Sequence, residues 1–127
     1  MNKEQTVLLV EDSEGLAHIV RRLLTRAGFA VDVTASGEEA LDYLKDNQPL
    51  LLLLDYYLPD MEGGEVVTRL RAQGNRVPFI FMTGSGEPRI VEEMMGRGAL
   101  GWIAKDDSFM ECLTDEVTKA FETLGLF

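Results

Sequence analysis

Cysteine and histidine occur once each in the 127 residues, as Cys112 and His18. A lone cysteine forms no internal disulfide, and without a Cys/His cluster the chain builds no zinc centre, which suits a reducing compartment. Catalysis by histidine has only His18 to use. That residue falls outside the helical stripe Leu16, Ile19, Val20, Leu23, Leu24 and Ala27, so it reads as an exposed surface residue. Positive charge is also scarce: 12 Lys+Arg stand against 22 Asp+Glu, a formal net charge of −10. Such an excess repels phosphate backbones and anionic lipid, which makes direct binding to nucleic acid or a membrane surface unfavourable. Long hydrophobic runs are missing as well. The first, Val7-Leu8-Leu9-Val10, ends at Glu11-Asp12, so the start reads as neither a signal peptide nor an anchor and the chain as a soluble, cytoplasmic protein. No linker, repeat or low-complexity segment interrupts it, and the length is that of one domain, 1–127, with an ordered core from about 5 to 125 and no output domain.

Against these absences stands a chain that is 46% hydrophobic, with the apolar residues in two alternating patterns. Short runs at Val7–Val10, Ala30–Val33, Leu50–Leu54, Phe79–Met82 and Leu100–Ile103 mostly lack polar alternation, as in parallel strands covered on both faces. Between them lie helical patterns. The first runs from Ser13 to Ala27 and stops at Gly28; the second opens at Ser36, where Glu39 completes a capping box. A third follows Gly63-Gly64 with Val66, Val67 and Leu70 on one side. The fourth starts near Pro88 and buries Ile90, Val91, Met94 and Met95, and the last begins near Asp107-Ser108. Strand and helix alternating in this way predict an α/β domain: a doubly wound parallel sheet between two helical layers.

In such a sheet the site lies at the carboxyl ends of the strands. The first apolar run ends in Glu11 and Asp12, the third in Asp55, the fourth in Thr83, and the fifth leads to Lys105. Three carboxylates at one edge repel each other, a conflict that a divalent cation removes; oxygen-only ligation with room for water suits Mg2+. Asp55, held by five preceding leucines, is placed to attack an activated phosphoryl group and form an acyl phosphate. Thr83 can donate to a phosphoryl oxygen, and Lys105 can pair with the carboxylate and then with the phosphate. Each residue also has a plainer reading. Asp12 before Ser13 can be a helix cap, Asp55 and Thr83 can be turn residues, and a single lysine is usually solvated. Their conjunction on four strands favours the shared site.

The segments Leu8-Leu9-Val10-Glu11-Asp12, Leu54 through Gly63, Met82-Thr83-Gly84 and Gly98 through Lys105 together resemble the receiver domain of two-component response regulators, over essentially the whole chain. The resemblance implies a flavodoxin-like strand order of 2-1-3-4-5. It implies that Asp55 accepts the phosphoryl group of a histidine kinase or histidine phosphotransfer protein, in a phosphorelay. Glu11, Asp12, Asp55 and the backbone carbonyl of Tyr57 would hold Mg2+, and Thr83 and Lys105 would contact the phosphate. Trp102 stands where receivers carry an aromatic switch residue, although packing at the sheet edge explains a tryptophan there equally well. Tyr57 and Ser85 stand at positions that modulate dephosphorylation, and the bulk of Tyr57 predicts a slowly hydrolysed phosphoryl-aspartate. The output would be a downstream protein or a missing output domain, with homodimerisation through the fourth helix, fifth strand and fifth helix as a further expectation.

The chain departs from the family pattern at Asp106, where receivers usually carry proline after the lysine in a cis peptide. A cis bond without proline costs about 3–4 kcal/mol, which favours a trans peptide here. Two other classes share parts of the pattern. A flavodoxin-like cofactor binder needs a phosphate-cradling loop where Glu11-Asp12 stands. An aspartate-nucleophile phosphatase has a second Asp where Tyr57 stands and needs more chain for a substrate cap. A degenerate receiver that binds partners without phosphorylation is disfavoured by the intact set of Glu11, Asp12, Asp55, Thr83 and Lys105.

Overall fold

The computed structural model describes residues 6–84 and 87–126. In chain order the elements are β1 (Thr6–Val10), α1 (Glu14–Arg26), β2 (Ala30–Thr34), α2 (Gly37–Asp46), β3 (Leu51–Asp55), α3 (Gly63–Ala72), β4 (Phe79–Thr83), α4 (Pro88–Gly96), β5 (Trp102–Ala104) and α5 (Phe109–Thr123). The five strands are parallel and ordered β2-β1-β3-β4-β5. β3 therefore occupies the centre, with β1 and β4 as its neighbours.

Period-two alternation inside the sheet divides the core. Leu51 and Leu53 of β3 face the layer of α1 and α5, beside Val20, Leu24, Leu113, Val117 and Phe121. Leu52 and Leu54 face the layer of α2, α3 and α4, beside Leu41, Val66, Leu70, Ile90 and Met94. All four leucines are fully buried, and each contributes about 1.5–3 kcal/mol on leaving water. This anchoring fixes the backbone immediately before Asp55.

Local signals in the sequence set the helix ends. Ser13 accepts from the N–H of Leu16 at 3.3 Å at the start of α1, and Gly28 leaves its end with φ 101°. At α2 the Ser36 hydroxyl accepts from the N–H of Glu39, while the Glu39 carboxylate accepts from Ala35, one residue earlier than a standard capping box. The cap is reinforced from a distance: Asp60, in the loop after β3, accepts from the N–H groups of Gly37 and Glu38, both at 2.9 Å. Those donors, Glu38 foremost, hold its carboxyl below the usual range.

Three expectations need correction. The buried centre of α1 is Ala17, Val20 and Leu24, whereas Ala27 is exposed because the helix ends at Arg26 and the chain turns away. Met95 is exposed, since α4 meets the sheet through Ile90 and Met94 and the next residue lies a hundred degrees round the helix. The fifth strand is shifted along its apolar run: β5 spans Trp102–Ala104, while Leu100 and Gly101 lead into it with backbone hydrogen bonds to Phe79 and Phe81 of β4. His18 is exposed, as its position off the stripe predicts. No helix among the described residues is long and apolar enough to cross a membrane.

Candidate functional site

β1, β3 and β4 end together at the carboxyl edge of the sheet, and β5 brings Lys105 to the same place. Asp55 and Thr83 are the last residues of their strands rather than the first of their loops, so each is held by ladder hydrogen bonds. Asp55 is only 4% exposed and Glu11 only 2%. Lys105 Nζ donates to Asp55 Oδ2 at 2.7 Å and lies 2.7 Å from Glu11 Oε1, the second contact being an ion pair without hydrogen-bond alignment. Its backbone N–H donates to the Thr83 carbonyl at 2.8 Å, so the lysine is seated on β4. The Lys105-Asp106 peptide is trans, and the lysine still reaches both carboxylates.

Burial raises Asp55 from its ordinary 3.8 to about 6, with the hydrogen bond from Lys105 acting against it and the charge of Glu11 adding to it. For Lys105 burial acts to lower the pKa, but the contacts with Asp55 and Glu11 outweigh it and the net direction is upward. The lysine is therefore a fixed cation and Asp55 a carboxylate whose charge is only partly compensated.

One oxygen each from Glu11, Asp12 and Asp55 lie within 4.8 Å of one another. That spacing is close to the roughly 4.2 Å across an octahedral magnesium ion, and the donors are all hard oxygens. The residues present fit such an ion: three carboxylates face a single lysine, and Asp12 is open to solvent where waters complete the shell.

Thr83 completes the floor. It is 0% exposed, and its hydroxyl has no hydrogen-bond partner among the described residues. A buried hydroxyl without a partner costs about 1–3 kcal/mol, so a group that supplies an acceptor there is favoured.

The loop after β3 is held tightly. The N–H of Tyr57 approaches Asp55 Oδ1 at 3.4 Å, and the N–H of Gly63 donates to the Tyr56 carbonyl at 2.6 Å. A Cβ on Gly63 would stand 3.0 Å from the Asp55 carbonyl oxygen, so this approach requires glycine. Trp102 lies on the α4 side of the sheet, half-buried and stacked on Phe81 with ring centroids 6.4 Å apart. Ser85 lies outside the described residues. Sequence reasoning missed the two tyrosines' partners: Tyr56 donates to Glu93 at 3.1 Å, and Tyr57 to Glu87 at 3.2 Å. These residues are separated by 37 and 30 positions, and no local pattern announces such pairs.

A doubly wound sheet whose carboxyl edge gathers three carboxylates, a lysine and an unpartnered hydroxyl defines a crevice for a cation and an oxyanion together. The chain belongs to the response regulator receiver domain family, whose profile matches residues 7–116. It is similar to response regulator RppA of Synechocystis sp., at 33% identity over 84% of this chain and 47% of that protein. It is also similar to sporulation initiation phosphotransferase F of Bacillus subtilis, at 31% identity over 80% of this chain and 82% of that one. Among solved structures, chemotaxis response regulator CheY4 of Vibrio cholerae superposes with a TM-score of 0.83 at 28% identity, covering 93% of this chain and 99% of that one. The chain spans about half the length of RppA. The domain is thus a receiver of two-component signalling.

Proposed function

We propose that Asp55 is the phosphoacceptor, taking a phosphoryl group from a histidine kinase or a histidine phosphotransfer protein. One carboxylate oxygen bonds to phosphorus as the phosphorus–nitrogen bond of the donor phosphohistidine breaks, and the imidazole leaves with a proton from solvent. Glu11, Asp12, Asp55 and the Tyr57 carbonyl would hold magnesium, which when bound neutralises charge on the entering phosphoryl oxygens. Lys105 exchanges part of its contact with Asp55 for a phosphoryl oxygen. Thr83 donates its hydroxyl to another. The observation that carries this reading is the buried Thr83 hydroxyl without a partner, one strand away from Asp55.

The phosphoryl group then acts as a local charge that biases a two-state surface. Thr83 moves toward the phosphate, Trp102 repacks against the space beside Phe81, and the surface of α4, β5 and α5 changes. A downstream protein, an output domain or a second copy of the chain reads that surface in the cytoplasm. The net charge of −10 directs the output to protein partners rather than nucleic acid. The bulk of Tyr57 beside Asp55 slows attack by water on the acyl phosphate.

The test is incubation with acetyl phosphate and magnesium, followed by intact mass measurement of the parent and Asp55→Asn. A labile, phosphate-sized adduct on the parent alone is expected. No adduct, or equal labelling of both proteins, refutes the assignment.

A further inference from the structure

We infer that Glu87 is a positioning residue for the phosphoryl-aspartate: by holding Tyr57 it straps the loop after β3 to the start of α4 and shields the acyl phosphate from water. The inference rests on the phosphoacceptor reading and assigns a residue that the acidic site does not include. Asp55 ends β3 and Thr83 ends β4, on adjacent strands, and Tyr57 and Glu87 follow them by two and four residues. The Tyr57 hydroxyl reaches both carboxylate oxygens of Glu87, at 3.2 and 3.3 Å, so the bond joins the loop after β3 to the residue before α4.

Three observations show that Glu87 is committed to Tyr57. It occupies the residue before α4, yet its side chain makes no capping hydrogen bond, so the helix start does not depend on its carboxylate. Tyr57 is 50% exposed; its hydroxyl is held by the Glu87 carboxylate and its ring meets the edge of Tyr56, with ring centroids 5.1 Å apart. A cavity of about 500 Å³ adjoins the pair, with Tyr56, Arg89 and Ile90 on its walls, so an untethered Tyr57 ring has space to swing. The loop itself is tied independently, because buried Tyr56 donates to Glu93 at 3.1 Å and Gly63 donates to the Tyr56 carbonyl. Cutting the strap therefore frees the ring and leaves the loop in place.

The step affected is hydrolysis: water oxygen bonds to phosphorus, the bond from phosphorus to the Asp55 oxygen breaks, and inorganic phosphate leaves as the carboxylate is restored. An exposed hydrogen bond of this kind changes the rate by about three- to tenfold if it is fully used in shielding. The experiment loads the full chain with acetyl phosphate and magnesium, removes the donor by desalting, and follows loss of the adduct by intact mass. Glu87→Ala and Tyr57→Phe are each expected to lose the adduct about three- to tenfold faster than the parent. The double variant should decay no faster than either one, since both cut the same bond. Glu87→Gln keeps an oxygen that accepts from Tyr57 and should stay near the parent. Loading of Glu87→Ala should proceed at the parental rate, which separates shielding from general damage. Parental decay in Glu87→Ala, multiplying effects in the double variant, or Glu87→Gln decaying as fast as Glu87→Ala overturns the strap alone. Absence of any adduct on the parent overturns the phosphoacceptor reading and the strap with it.

Discussion

Magnesium and a proton should compete for Asp55. Burial and the neighbouring Glu11 raise this carboxyl to about 6 despite the hydrogen bond from Lys105, so at mildly acidic pH an ion must displace a proton to bind. At pH 7.5 about 3% of Asp55 carries a proton and at pH 5 about 90%, which weakens the apparent magnesium affinity by about tenfold across that interval. At pH 6 binding should release about half a proton. Isothermal titration calorimetry in two buffers of different ionisation enthalpy reads both quantities. A dissociation constant that stays flat from pH 7.5 to 5, or that varies equally in Asp55→Asn, contradicts the reasoning. The same linkage acts on the fold. The metal-free folded state retains a proton that the unfolded chain has already released, so stability declines as pH rises from about 4 to about 6, and magnesium reverses the loss.

Other substitutions separate the fold from the site. Thr83→Val replaces an unpartnered buried hydroxyl by a methyl group, so urea unfolding of the unphosphorylated protein should show about 1 kcal/mol of added stability, while labelling by acetyl phosphate slows; reduced stability would place a partner on that hydroxyl. Gly63→Ala presses a methyl group against the Asp55 and Tyr56 backbone, and should cost about 1–3 kcal/mol in urea unfolding and reduce magnesium affinity in the folded protein. Leu53→Ala, at a fully buried position on the α1 and α5 side, should cost about 2–5 kcal/mol in urea unfolding; a cost below about 1 kcal/mol would contradict close packing of that layer.

The parallel sheet was legible because most of its strands are apolar runs, Asp32 in β2 being the exception, and the helix ends because Ser13, Ser36, Gly28 and Pro88 act within their own few residues. The acidic trio and Lys105 were legible for a topological reason. In a doubly wound sheet, the residues at the ends of the apolar runs must meet at one edge, whatever their separation in sequence. The cap that Asp60 gives to α2 was not legible, since Leu58-Pro59-Asp60 reads locally as a turn and its partners lie 23 and 22 residues away. Tyr56 and Tyr57 present the same difficulty. Their hydroxyls are oriented by Glu93 on α4 and Glu87 just before it, and which phenol meets which carboxylate depends on how that helix lies against the loop. Met95 shows the reverse error: an apolar residue beside the buried stripe of a short helix remains exposed because only Ile90 and Met94 reach the sheet.

The most direct measurement of the central claim is chemical mapping of the phosphorylated residue. The protein is loaded with acetyl phosphate and magnesium, reduced with borohydride to convert an acyl phosphate to an alcohol, digested, and sequenced by mass spectrometry. Aspartate is expected to be converted at Asp55 alone, with the conversion abolished by chelating magnesium and absent from Asp55→Asn. Conversion at another carboxylate, or conversion at Asp55 that persists in full under chelation, contradicts the claim.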